Sequence, residues 1–179
     1  MEGRRFGLIS DTHDDRVDWT AAVAGIREAL GPVDAILHCG DFCTPKALEA
    51  LAAIAPVWAV RNPMTDPPAD PPVLVNGPRI VEAGGMEIGM VFSLSTAPVQ
   101  AETDPVLGFP NLNAADAVRL LFGGRIDVCV FGGTHRPAIA SSAGTLFINP
   151  GSPTLSNTRT VALLTIDGGT ASVEIRPVV

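Results

Sequence analysis

Short β-branched and apolar runs alternate along the chain with stretches whose apolar positions recur at helical spacing. Arg4 to Ser10 reads as a buried strand. Trp19, Val23, Ile26 and Leu30 then mark one face of a helix, with Asp18 as its N-cap and Gly31 as its stop. Asp34 to His38 is a second strand. Thr44-Pro45 predicts an N-cap followed by proline at the first helical position, opening a helix through Ile54 with Ala47, Leu48 and Leu51 facing inward. Pro56 to Val60 is a third strand. This alternation of strand and helix is the grammar of a parallel sheet.

Beyond Val60 the pattern changes. Asn62 to Pro72 carries five prolines and is expected to be a loop. Arg79 to Ala83 and Met86 to Phe92 flank Gly84-Gly85, which predicts a hairpin. Pro98 to Leu112 is rich in turn formers and is expected to be a surface loop. Asn113 caps a predicted helix through Phe122, and Asp127 to Phe131 is another strand. Ala138 to Ser141, Thr145 to Ile148, Arg159 to Ile166 and Thr170 to Arg176 complete the strand material. Asp167-Gly168-Gly169 supplies a tight turn between the last two. Residues 1–179 are therefore expected to form one α/β domain whose C-terminal part is antiparallel.

Composition narrows the class. Of 179 residues, 46% are apolar and 17% charged, too apolar a mixture for a disordered chain. No uninterrupted apolar run approaches the roughly 20 residues of a membrane-spanning helix, and the start of the chain lacks the apolar core of a secretory signal. The expectation is a cytoplasmic protein without a membrane partner. A formal net charge of −7 disfavours nucleic acid as the main partner. Cys39, Cys43 and Cys129 are too few for a disulfide framework and are read as free thiols.

Candidate chemistry gathers where strands end. The chain has three histidines, and each follows or closes a predicted strand: Ser10-Asp11-Thr12-His13, His38-Cys39-Gly40-Asp41 and Gly132-Gly133-Thr134-His135. In an open α/β sheet the carboxyl ends of the strands form the ligand-binding edge, so side chains distant in sequence converge there. Taken singly, an aspartate after a strand is more often a turn or helix cap. Their joint placement is what points to function. Asp11 and Asp41 bring carboxylates, His13 and His135 bring imidazoles, and Asn62 adds an amide carbonyl. Two bare carboxylates about 4 Å apart repel by about 4 kcal/mol at an effective dielectric near 20, and a divalent cation relieves that. Mixed oxygen and nitrogen donors suit Mn²⁺, Fe²⁺ or Zn²⁺ better than an all-oxygen calcium site.

The ordered motifs Ser-Asp-Thr-His, His-Cys-Gly-Asp-Phe, Asn62, Gly-x-Thr-His and Asn149-Pro-Gly-Ser152 resemble those of the calcineurin-like metallophosphoesterases, in particular the small YfcE-like phosphodiesterase branch. The resemblance implies a four-layer αββα sandwich, with two mixed β-sheets packed face to face and helices outside, and a two-metal centre at the strand ends. It implies that Asp11, His13, Asp41 and His135 hold the first metal, with Asp41 as the bridge to a second that Asn62 helps to hold. That second set is incomplete. The family's His-Gly after the Met86 strand is Phe92-Ser93 here, and the first histidine of its Gly-His-x-His motif is Gly133. Asp66 is a candidate replacement. His38 matches a histidine beside the Gly-Asp motif and is read as structural.

The function this implies is metal-dependent hydrolysis of a small phosphate ester, a phosphodiester or phosphomonoester, by metal-activated water. The expected cofactor is a divalent transition metal, Mn, Fe or Zn with Mn favoured, one per chain rather than two. Asp41, Asn62 and His135 are the expected catalytic residues, and Arg61 and Arg136 are candidate phosphate partners because a guanidinium bonds phosphate bidentately. The competing expectation is a catalytically inactive domain of the same fold that serves as a protein-interaction or regulatory module.

Overall fold

A computed structural model describes residues 3–68, 70, 72–94, 102–104, 109–111, 114–155 and 157–179. Its strands are β1 (Arg4–Ile9), β2 (Ala35–His38), β3 (Val57–Val60), β4 (Leu74–Val75), β5 (Arg79–Ala83), β6 (Met86–Val91), β7 (Glu102–Asp104), β8 (Phe109–Asn111), β9 (Val128–Phe131), β10 (Pro137–Ser142), β11 (Thr145–Pro150), β12 (Thr160–Asp167) and β13 (Thr170–Pro177). The helices are α1 (Trp19–Leu30), α2 (Pro45–Ala52) and α3 (Ala114–Phe122), with a 3₁₀ turn at Asp14–Arg16.

Two mixed sheets result. The first has the order β13-β12-β1-β2-β3-β4, parallel from β1 to β4 and antiparallel at β12 and β13. The second has the order β10-β11-β9-β6-β5, with β6, β9 and β11 parallel and the two edges antiparallel. The period-2 alternation of each strand divides its side chains between two layers. Phe6, Leu8 and Leu37 from the first sheet meet Ile88, Met90, Val130 and Ile148 from the second in one buried core. Ile9 and Ile36 face the other way, against Ile26 and Leu30 of α1 and Leu48 and Leu51 of α2. Cys129 and Phe131 pack with Val118 of α3 on the outside of the second sheet. The architecture is the four-layer αββα sandwich the motifs imply.

The helix ends show how local sequence sets these layers. Asp18 accepts from the backbone N–H groups of Thr20 and Ala21 at 3.1 and 3.2 Å, and Gly31 closes α1 with φ 62°. Gly7 lets α1 seat closely, since a Cβ there would stand 2.6 Å from Leu30 Cδ1. Thr44 sits at the N-cap of α2, but its side chain accepts no capping bond. Its N–H and hydroxyl both donate to Asp14 instead. The helix stops at Ala52, before the expected Ile54.

One further expectation needs correction. The Pro98 to Leu112 stretch contains strand structure, because β7 and β8 pair antiparallel with Thr103 opposite Pro110. Leu74 and Val75 also add a short parallel strand beside β3, too brief to show as periodicity. Asn113, the expected cap of α3, lies outside the described residues. Among the described residues no helix is long and apolar enough to cross a membrane.

Candidate metal centre

The C-terminal ends of β1, β2 and β9 lie side by side, and the three loops leaving them are laced together. Asp11 N–H donates to the Gly40 carbonyl at 2.9 Å and His13 N–H to the Asp41 carbonyl at 3.1 Å. From the loop after β11, Ser152 Oγ donates to the Asp11 carbonyl and Thr154 Oγ1 to the Thr12 carbonyl, both at 2.7 Å. Asn149 holds the third loop through bonds from its amide to Gly132 O and Thr134 Oγ1. His38 is fully buried between two loops: its Nδ1 accepts from Gly40 N–H at 3.1 Å, leaving Nε2–H to donate to Thr12 Oγ1 at 3.3 Å. Burial pushes its pKa down to about 3, so the ring is a neutral tie.

Four side chains meet at the centre of this frame. The donor atoms of Asp11, His13, Asp41 and His135 all lie within 4.8 Å of one another. His13 Nε2 is 3.0 Å from Asp41 Oδ2 and 3.4 Å from His135 Nε2, and His135 Nε2 is 3.5 Å from Asp11 Oδ1. All four residues have left-handed backbones, with φ of 55°, 40°, 63° and 59° in chain order. Such conformations cost of order 1–3 kcal/mol each and persist where the surroundings over-determine them. The side chains of Asp11, His13 and Asp41 are 0%, 6% and 10% exposed, whereas His135 at 35% forms the open side.

The electrostatics describe a site short of positive charge. Burial raises the Asp11 pKa to about 7, against the opposing bonds from Ser10 and from the Gly133 N–H. Asp41 is also raised by burial, but bonds from His13, Thr65 and Asn62 outweigh this and hold it below the usual carboxylate range. The bond to Asp41 raises His13, while burial and the charge of His13 lower His135. Two carboxylates and two facing imidazole nitrogens form a donor set that fits one divalent transition ion.

Comparison with known proteins identifies the frame. The sequence matches the calcineurin-like phosphoesterase superfamily domain over residues 5–169. The chain belongs to that superfamily. It is 31% identical to a "Probable metallophosphoesterase" of Methanocaldococcus jannaschii over 83% of this chain and 68% of the relative. A "Probable metallophosphoesterase" of Methanothermobacter thermautotrophicus is 30% identical over 94% of this chain and 90% of its own. Among solved structures, vacuolar protein sorting 29 from Cryptosporidium parvum superposes with a TM-score of 0.70 at 18% identity, covering 98% of this chain and 97% of that one.

A Cβ on Gly40 would stand 2.9 Å from Phe92 Cδ2, and one on Gly133 would stand 3.5 Å from Phe92 Cζ, so the Phe92 ring spans the gap between those loops. Asn62 is buried beside Asp41; its Oδ1 accepts from Met64 N–H at 3.1 Å, and its side chain bonds Asp41. Asp66 is no replacement ligand. Its carboxylate accepts from the N–H groups of Asp41, Phe42, Cys43 and Asn62 at 2.8–3.1 Å, so it shapes the loop that aims Asp41.

Two further groups escape a sequence reading. Thr65 Oγ1 donates to Asp41 Oδ1 at 2.7 Å, and Cys43 Sγ stands 3.7 Å from His13 Nδ1. Nothing periodic marks either position, since both depend on the path of irregular loops. The arginines divide. Arg61 commits its guanidinium to the carbonyls of Asp66 and Pro63 and to Asn76 Oδ1. Arg136 is exposed next to His135, and its guanidinium has no partner among the described residues. Arg16, on the 3₁₀ turn, is close enough for its charge to lower the pKa values of His13 and His135.

Proposed function

We propose that this domain hydrolyses a small phosphate ester, a phosphodiester or phosphomonoester, using one divalent transition ion held by Asp11, His13, Asp41 and His135. Mn²⁺ is the favoured ion, with Fe²⁺ and Zn²⁺ compatible with the same donors. The carrying observation is the convergence of two carboxylates and two imidazoles within 4.8 Å at three strand ends. A cation bound there supplies Lewis acidity toward a phosphoryl oxygen and lowers the pKa of bound water.

The chain's own residues do the rest. Asp41, kept ionised by His13, Thr65 and Asn62, supplies permanent negative charge, and Asn62 positions it. His135, on the open side, is within reach of a substrate oxygen. Arg136 and Arg16 are the guanidinium groups available to a phosphate, while Arg61 braces the Asn62 to Pro72 loop. Free thiols at Cys39, Cys43 and Cys129 suit a cytoplasmic setting, and the net charge of −7 favours a small substrate over nucleic acid.

The Phe92 ring supports a second reading, a non-catalytic module that contacts protein partners. Incubation with Mn²⁺ and an activated phosphodiester distinguishes them. Turnover that disappears in both Asp11→Ala and His135→Ala supports the enzyme. Equal background rates in all three proteins leave the interaction module.

A further inference from the structure

The two ring nitrogens of His13 face different donor sets. Nε2 points into the cluster, 3.0 Å from Asp41 and 3.4 Å from His135. Nδ1 stands 3.7 Å from the sulfur of Cys43, and the Asp15 carboxylate also bonds that thiol. Donor atoms of His13, Asp15 and Cys43 all lie within 4.8 Å of one another. The arrangement is held by contacts independent of any ion. Asp14 N–H donates to the Phe42 carbonyl, the Asp14 carboxylate accepts from Thr44, and Asp66 accepts from Cys43 N–H at 3.1 Å. The 3₁₀ turn that carries Asp15 is thereby tied to the Cys43 segment.

The spacing has a chemical meaning. Zinc bonds of about 2.3 Å to sulfur and about 2.0 Å to nitrogen, at a tetrahedral angle, place the two donors about 3.5 Å apart. The observed 3.7 Å needs little adjustment. Nitrogen, sulfur and carboxylate oxygen together select a softer ion than the oxygen-rich centre beside them. Access is open, because Asp15 is exposed and Cys43 only partly buried, whereas Cys39 and Cys129 are fully buried.

We propose that Cys43, Asp15 and His13 Nδ1 form a second, thiophilic cation site on the rim of the centre, taking a soft divalent ion such as Zn²⁺ or Cd²⁺ with solvent as the fourth donor. Binding releases the thiol proton and the Nδ1 proton to solvent. His13 then bridges the two ions, so occupancy of the rim reaches the centre through a single ring. This site does not rest on phosphoester hydrolysis and stands or falls separately from it.

The test is titration of the Mn²⁺-loaded full-length protein with Cd²⁺, followed through the thiolate-to-cadmium charge-transfer absorption. One equivalent should develop the band while the bound Mn²⁺ stays in place. Cys43→Ser should abolish the band, and Asp15→Asn should weaken cadmium binding about tenfold. Retained Mn²⁺ in both variants confirms that they are folded. A band that survives in Cys43→Ser, cadmium that displaces Mn²⁺ without a band, or Asp15→Asn and Cys43→Ser proteins that bind cadmium like the parent would each overturn the proposal.

Discussion

The ring of Phe92 lies over Gly133, where an added Cβ would stand 3.5 Å from Phe92 Cζ. Phe92 and Gly133, the two positions at which the sequence departs from the motifs it resembles, are thus neighbours. One cation per chain is therefore expected from elemental analysis after Mn²⁺ reconstitution. Gly133→His alone should add no cation and should lose about 1–2 kcal/mol, because Gly133 has φ 84°, a conformation costly for any L side chain. Phe92→His with Gly133→His should raise the count to two and increase turnover. A folded double variant that binds two cations with no gain in turnover would count against an incomplete second site.

Asp66 is a buried carboxylate that satisfies four backbone N–H groups. Asp66→Asn replaces one acceptor oxygen by an NH₂ that faces donors. The expected loss is about 2–4 kcal/mol in denaturant unfolding, since hydrogen bonds to charge are strong and buried donors left unpaired cost extra. Mn²⁺ affinity should fall with it, because Asp66 aims Asp41. Unchanged stability would mean that the loop holds its shape by other contacts.

How much of this was legible beforehand follows from what periodicity encodes. Asp11, Asp41 and His135 each follow an apolar run that could only be a buried strand, so their convergence was readable from chain order and sheet logic. Which of Phe6, Leu8 and Ile9 faced the other sheet and which the helices was not readable from this apolar run and came from the structure. Thr65, Asp66 and Cys43 were different. Their roles depend on the course of loops rich in proline or set at positive φ, where no repeat of apolar residues records direction. Phe92 stood out as a substitution, but that its ring lies against Gly40 and Gly133 required coordinates. Asp14 and Asp15, on the same short turn, are tied to Thr44 and Cys43.

Metal binding should compete with protons. Burial raises Asp11 to about 7, and the bond to Asp41 raises His13, so below neutrality both hold protons that a cation must displace. Affinity should rise with pH and level off above about 7–8. Calorimetric titration with Mn²⁺ in buffers of different ionisation enthalpy should show about one to two protons released per ion near pH 6, and fewer near pH 8.5. Asp11→Asn should reduce that release as well as the affinity. Proton release that does not change between the two pH values would contradict the assignment.

Neutral His38 contributes an acid-sensitive part of the fold's stability. Its folded pKa of about 3 lies below the ordinary 6.5 because burial penalises the charged ring. The unfolded chain therefore binds the extra proton between those two values. The stability that neutral His38 supports is fully present above about 6.5 and is lost as pH falls toward 3, with a slope of at most about 1.4 kcal/mol per pH unit. A His38→Gln variant cannot titrate in that window. Urea unfolding of both proteins across it should show the parent's advantage shrinking steadily with acid. An advantage independent of pH from about 6.5 to 4 would mean that the ring is already protonated in the fold, and that the Gly40 N–H to Nδ1 bond is not made.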